Sequence, residues 1–283
     1  MSRLTNFQGL IAHDVRQEGR GAIDAAQFGD RAQVTTDSVD LTFNHRFNRL
    51  SVQLRGGYDD IDFGPSDSDA NNNDDRDTTV TTQAARTTWQ FRPTFAVFGE
   101  VEANQRAYNV AAVSDGFSRD SDGQRYRAGI DFGSTGQIVR GEMSIGYGNQ
   151  NPSEAGLSDV DGVLIDANVA WRLSDPTTLR FIARTDIFDT NTAGSAGVLS
   201  RTIGLEAPHA FRRYVIATVG IAYTDQDYDN VPIAESELRA SLLLEYYLDW
   251  TLFGQWETID FDSNQPGNSW AANDVRVGAR WRQ

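Results

Sequence analysis

Arginines and carboxylates recur at alternate positions in stretches where the residues between them are apolar or small, and this interleaving is the chain's main chemical signature. The set opens with Arg55, Arg86, Glu100, Glu102, Arg127 and Asp131. It continues through Arg140, Glu142, Asp166, Arg180, Arg184 and Asp186, then Arg239, Glu245, Glu257, Arg276 and Arg280. Side chains two apart on a strand share a face, so these charges gather on one side of each segment. Ladders of opposite charge around a hydrated passage select and orient polar solutes. The same ladders can equally do no more than satisfy one another around water, and residue type alone does not separate the two roles. Arg140, Glu142, Arg180 and Arg184 form the group to mutate first.

Other chemistry finds little support. His13, His45 and His209 are the only histidines. His13 has Asp14 beside it, but neighbours on a strand point to opposite faces, and a Ser/His/Asp arrangement needs both on one side. No G-x-S-x-G, H-E-x-x-H or phosphate-loop pattern occurs, so no enzyme and no cofactor is expected. Asp67, Asp69, Asp74, Asp75 and Asp77 offer hard oxygen donors of the kind Ca²⁺ takes, yet without the spacing of an EF-hand. They read as a solvated loop over 60–78, with no metal expected. Cysteine is absent, which removes disulfides and thiolate sites. A net charge of −15 argues against nucleic acid as a partner. All 25 basic residues are arginine, whose planar fork suits a crowded polar interior.

The elements that carry these charges read as strands. Val139, Gly141, Met143, Ile145 and Tyr147 alternate with Arg140, Glu142, Ser144 and Gly146. Val163–Trp171 and Leu179–Ile187 repeat the pattern around a turn at Ser174-Asp175-Pro176-Thr177. Period-2 alternation over about ten residues exceeds an ordinary globular strand and matches the roughly 9–11 tilted residues that cross a bilayer. The same reading predicts about 14 strands in a single domain over 1–283, the weakest at 6–16. Tight connections near 48, 92, 135, 175, 211 and 248 alternate with long ones at 17–36, 60–78, 109–122, 149–159, 188–197, 225–235 and 262–273. Short turns at one rim and long loops at the other are the asymmetry of an outer-membrane barrel. No apolar run is long enough for a membrane helix, which a barrel does not need.

Aromatic residues gather at strand ends. Phe47, Trp89, Phe91, Trp171, Phe211, Tyr246, Trp250 and Trp281 fall towards the tight-turn rim. Tyr58, Tyr108, Tyr147, Phe188, Tyr223 and Phe261 fall towards the loop rim, and two such girdles fit two membrane interfaces. The seven prolines fall at strand ends, in turns or in loops. A soluble β-sandwich or propeller would share the alternation, but strand length, loop asymmetry and girdles favour a transmembrane antiparallel up-and-down β-barrel. A carboxylate at Val139, read as mid-strand and lipid-facing, should impair folding, whereas Arg140→Asp should change ion preference.

Three stretches carry a family resemblance: DGFSRDSDGQRYRAGIDFG from Asp115, IVRGEMSIGYGNQ from Ile138 and GLSDVDGVLIDANVAWRLSDPTTLRF from Gly156. TDQDYD from Thr224 and ESELRASLLLEYYLDWTLFGQWE from Glu235 fit the same pattern. Together they resemble the bacterial outer-membrane family called putative β-barrel porin 2. The resemblance implies an outer-membrane location in a Gram-negative bacterium and a porin-like role linked to surface-polysaccharide export. The expected partners are outer-membrane lipid and lipopolysaccharide, the barrel assembly machinery, and polysaccharide or its export proteins. Such barrels usually end on an aromatic residue, whereas this chain ends Trp281-Arg282-Gln283, so either the terminus is altered or Trp281 serves in that role. The opening Met-Ser-Arg-Leu carries no apolar signal segment, as expected of a mature, processed form. The reading is a passive channel for hydrophilic solutes. The alternatives are a non-conducting structural or docking barrel of a polysaccharide machine, and a lipid-modifying enzyme.

Overall fold

In the computed structural model, residues 4–19, 21–25, 31–66, 73–133 and 136–281 are described. Fourteen antiparallel strands follow one another as β1 (Thr5–Gln17), β2 (Gln33–Phe47), β3 (Leu50–Phe63), β4 (Thr78–Arg92), β5 (Phe95–Tyr108), β6 (Ser121–Phe132) and β7 (Val139–Pro152). The second half comprises β8 (Val160–Ser174), β9 (Thr177–Phe188), β10 (Val198–Arg212), β11 (Val215–Tyr228), β12 (Ala234–Tyr247), β13 (Trp250–Ser263) and β14 (Trp270–Trp281). Each pairs with the next in sequence, an up-and-down order without crossovers. A 3-10 turn at Asp74–Arg76 is the only helical piece among the described residues.

Strands of twelve to fifteen residues exceed the span of a bilayer. Their loop-side ends therefore project beyond it. The loop at 64–77 is shorter than the sequence suggested because β3 continues to Phe63. The first strand, weakest in its alternation, pairs with β2 from Thr5↔His45 to Gln17↔Gln33.

Curvature follows from contacts across the sheet. Gly21, in the β1–β2 loop, packs so tightly against Glu237, Phe261 and Trp270 that an added Cβ would lie 3.0–3.4 Å from them. These three belong to β12, β13 and β14, so the first loop reaches the last strands and the sheet is wrapped into a barrel. Among the described residues the ladder carries no pairing between β1 and β14.

One face of the wall is apolar and turned outward, with Leu54, Val101, Ile130, Ile145, Val163, Ile203, Ile221 and Leu252 all exposed. In a soluble protein such a surface would be buried; around a membrane barrel it meets lipid. The lower aromatic girdle lies on this face as expected, with Trp250 and Trp281 5.1 Å apart between ring centroids. The upper girdle needs correcting. Tyr58, Tyr147 and Tyr223 face outward and are exposed. Tyr108, Phe188 and Phe261 have the opposite parity: Tyr108 and Phe188 line an interior cavity, and Phe261 is buried. Pro208 is a second correction, because it sits within β10 rather than at an end. The ladder to β9 passes from Glu206↔Arg180 to His209↔Thr177 and skips Ala207 and Pro208. The missing N–H thus falls where no ladder bond is made.

Candidate solute passage

Strand register decides which face each charge occupies. Arg86 opposes Glu100, and Glu100 opposes Arg127. Asp131 opposes Glu142, Asp166 opposes Arg184, and Arg180 opposes Glu206. In β12 to β14, Arg239 leads by parity to Glu245, and Glu257 opposes Asp274, the neighbour of Arg276 and Arg280 on the same face. All the alternating charges read from the sequence therefore share the face opposite Leu54, Ile130 and Ile145. That face is concave. Arg86 on β4 makes a two-pronged bond to Glu142 on β7, at 3.0 and 2.6 Å. Strands three apart are about 14 Å distant along a sheet at 4.8 Å per step. Only inward curvature lets such side chains meet.

The pairs join into a chain. Arg55 on β3 contacts Glu100 at 3.0 Å and Glu102 at 3.7 Å, both on β5. Glu102 also takes Arg125 on β6, at 3.3 Å, and Arg125 reaches Asp186 on β9 at 2.8 Å. Arg184 closes on the same Asp186 at 2.9 Å. One run of ion pairs thus crosses the interior from β3 to β9. Opposite it, Arg239 holds Glu237 and Glu257 at 2.8 and 3.1 Å, and Arg280 lies 3.7 Å from Glu245. Backbone space positions part of this network. A Cβ on Gly129 would come within 2.4 Å of the Phe98 ring. Glycine there lets Phe98 lie flat on β6, and the Arg86 guanidinium rests 3.5 Å from its ring centroid.

The foremost group for mutation is not one cluster. Arg140, Glu142 and Arg180 line a recess of about 430 Å³ with Asp131. Their bonds nevertheless run elsewhere: Glu142 to Arg86, Arg180 to Glu206 at 3.1 Å and Arg184 to Asp186. Among the described residues Arg140, Asp131 and Asp166 form no ion pair, so their charges face the lumen without a direct partner. Val139 is also not mid-strand; it begins β7 and opposes Trp171 of the lower girdle.

The loop-side mouth is built from interlocked loops, one of which, at 60–78, the sequence pattern marks as a solvated segment. The β9–β10 loop is the hub. Asp24 of the β1–β2 loop accepts bonds from the Thr190 hydroxyl at 2.8 Å and the Asn191 N–H at 2.7 Å. Arg119 of the β5–β6 loop donates to the carbonyls of Thr190 and Thr192, at 2.9 and 3.2 Å. Asn191 donates to the Asp75 carbonyl at 3.0 Å. Arg106 on β5 binds Asp189 and the Ile187 carbonyl. Leu157, Val160, Ile187 and Ala196 form a small apolar core beneath, flanked by Phe117 and Leu199. Burial pushes the Asp24 carboxyl above its usual range despite the bonds it accepts. At Asp115 burial acts in the same direction, but hydrogen bonds from Arg119, Gly194 and Phe117 outweigh it and hold the carboxyl below 3.8.

One further expectation changes. Asp75 is buried and accepts the Val113 N–H at 2.9 Å, and Asp77 accepts the Phe63 N–H at 2.7 Å, so these acids tie loops together rather than face water. Asp67 and Asp69 lie outside the described residues. No group of three or more potential metal ligands occurs among the described residues. The histidines pair across strands: His13 with Asp37 at 2.6 Å, His45 with Thr5 at 2.8 Å and His209 with Thr177 at 2.7 Å. The sequence reading missed Arg106, Arg125, Glu206 and Glu237, although each has the parity of neighbours it named. Arg119 carried no such signal, because it sits in a loop.

Solved structures show the same architecture. The chain is similar to the unliganded ferric citrate transporter FecA, with a TM-score of 0.52 and 11% identity, over 94% of this chain and 50% of that one. It is similar to the siderophore receptor PirA from Acinetobacter baumannii, at 0.52 and 11%, over 99% and 53%. A mutant of the ferric enterobactin receptor PfeA from Pseudomonas aeruginosa gives 0.51 and 13%, over 93% and 49%. The chain thus spans about half the length of these proteins, and at such identities the likeness concerns the fold alone. No curated protein matches in sequence. With its apolar outer wall and girdles, the molecule is an outer-membrane β-barrel. The residues named at the outset as a family resemblance are matched along the whole chain: residues 1–283 fit the family model described as Putative beta-barrel porin 2, and the chain belongs to that family.

Proposed function

We propose that the barrel is a porin-like passage in a bacterial outer membrane, through which hydrophilic solutes move down their gradient. The observation that carries this reading is the concave charged face, where ion pairs from β3 to β9 enclose a polar interior behind an apolar wall. Paired charges set the width and shape of the passage. The unpaired Arg140, Asp131 and Asp166 set its ion preference. The outer wall then meets lipid and lipopolysaccharide, and barrel assembly machinery would insert it.

Single-channel recording of the refolded protein in a planar bilayer tests this, with wild type beside Arg140→Asp. Stable steps whose cation preference rises in the variant are expected. A folded barrel that never conducts overturns the reading. It would favour a second one, a structural or docking barrel of a surface-polysaccharide machine. The specific support for that alternative is the interlocking of the β1–β2, β3–β4, β5–β6 and β9–β10 loops over the mouth.

A further inference from the structure

Beneath the loop hub lies a chamber of about 770 Å³ between the loops and the inner faces of β1 to β5 and β9 to β11. We infer that this chamber is a binding site for an uncharged, hydroxyl-rich solute of the size of a short oligosaccharide. The inference names the solute class for the passage proposed above, and to that extent rests on it.

Charge on the chamber wall comes already matched. Glu18 is held by Arg76 and Asp189 by Arg106, while Asp24 is occupied by Thr190 and Asn191. An anion entering here would meet three carboxylates, and a cation three arginines, Arg16 among them. Glu18, Asp24, Asp189, Arg76 and Arg106 take a new partner only by breaking a bond already made, and a desolvated ion without a partner is disfavoured. Arg16, 3.9 Å from Asp14, is largely exposed, so water screens its charge. A neutral solute meets no such penalty.

The rest of the wall alternates two surfaces. Ile61, Phe63 and Val80 present apolar area, and Thr36, Ser200 and Gln226 present hydroxyl and amide groups. The Oε1 atom of Gln226 is buried and has no hydrogen-bond partner among the described residues. A buried acceptor left unpaired is costly, so turning the Gln226 amide out into the chamber to meet a ligand's donor is favoured. A sugar ring combines an apolar face with a rim of hydroxyl donors, and so matches both surfaces. The volume also falls within the roughly 300–1,000 Å³ of small-molecule sites.

The test is calorimetric titration of the full chain, folded in detergent, with maltotriose, and in parallel with citrate and spermine. Saturable binding of maltotriose is expected, with none of citrate or spermine. Gln226→Leu keeps the side-chain size but removes the acceptor, and should weaken binding about tenfold, the equivalent of one hydrogen bond. Val80→Trp projects an indole into the chamber and should weaken binding by obstructing it, with far-UV circular dichroism confirming the fold of each variant. Absence of saturable maltotriose binding overturns the inference, as does tighter binding of citrate or spermine. Binding that both folded variants leave unchanged overturns it too. Because binding in detergent does not require conduction, a barrel that binds but never conducts would sink the passage reading and leave this site standing.

Discussion

Glu102 and Arg180 show how unequal the interior charges are. Glu102 is mostly shielded and serves arginines on two strands, Arg55 and Arg125. Removing it leaves Arg55 to Glu100 and Arg125 to Asp186 alone and breaks the link between the two strands. Glu102→Ala should therefore destabilise the barrel by about 1–3 kcal/mol, the range for losing hydrogen bonds to a charged group. The Arg180–Glu206 pair is about half exposed, at 48% and 35%, so water screens it. Arg180→Ala should cost less than about 1 kcal/mol, and urea titration of refolded protein compares the two. In the loops the charges respond to pH. Because Asp115 is held below 3.8, its contribution to loop docking is complete above that value and is lost as pH falls through the lowered one. Asp24, raised above 3.8, acts oppositely: its protonated form suits the folded loop, so docking strengthens as pH falls towards 3.8. The protection of amides across 109–120 and 189–197, measured as exchange relative to the intrinsic rate at each pH, should thus fall below pH 3.8 in wild type. In Asp115→Asn it should be lower at neutral pH and lose that acid response.

At the scale of the strand, parity governs what a substitution does. Ile145 is 62% exposed, in the middle of β7 on the lipid face, and Ser144 beside it faces inward opposite Asp166. Ile145→Arg places a cation in hydrocarbon and should cost about 2–4 kcal/mol. Ser144→Arg meets a carboxylate in the lumen and should stay within about 0.5 kcal/mol of wild type. Refolding into vesicles of graded urea content measures both, and equal costs would mean the faces are misassigned. This parity is also why the fold was so legible. A wall with lipid outside and water inside imposes period 2 on the strands, so alternation marked all but the first, whose pattern is poor, and placed the charges of β12 to β14 on the right face. The errors came where parity was not carried to the strand ends. Tyr108, Phe188 and Phe261 were read as girdle from position alone, although the same alternation turns them inward. The loop hub was not legible at all. Asp24 meets Thr190, and Asp75 meets Val113, through single side chains in aperiodic segments, and no spacing rule links residues so far apart.

The molecule as a whole must still satisfy its two edge strands. Ile11 on β1 and Val277 on β14 are 82% and 81% exposed, against 62% for Ile145 in mid-sheet, because each edge lacks a neighbour on one side. A free edge also presents a row of backbone N–H and C=O groups, and in hydrocarbon each unsatisfied group costs several kcal/mol. Over strands of twelve and thirteen residues that cost exceeds any plausible folding stability. In a bilayer β1 and β14 must therefore pair, and their outward residues already match: Phe7, Ile11 and Val15 on one, Val275, Val277 and Trp281 on the other. The chain has no cysteine, so an engineered pair reports without background. Ile11→Cys can be combined in turn with Val275→Cys, Val277→Cys and Ala279→Cys. A disulfide needs Cα atoms within about 7 Å, so one combination should cross-link far better than the others in vesicle-folded protein, and none in urea. Leu10→Cys, turned inward, should fail with the outward-facing partner that succeeds for Ile11. If no combination links, and β1 exchanges its amide hydrogens as fast as a loop, then a strand from another chain must complete the wall.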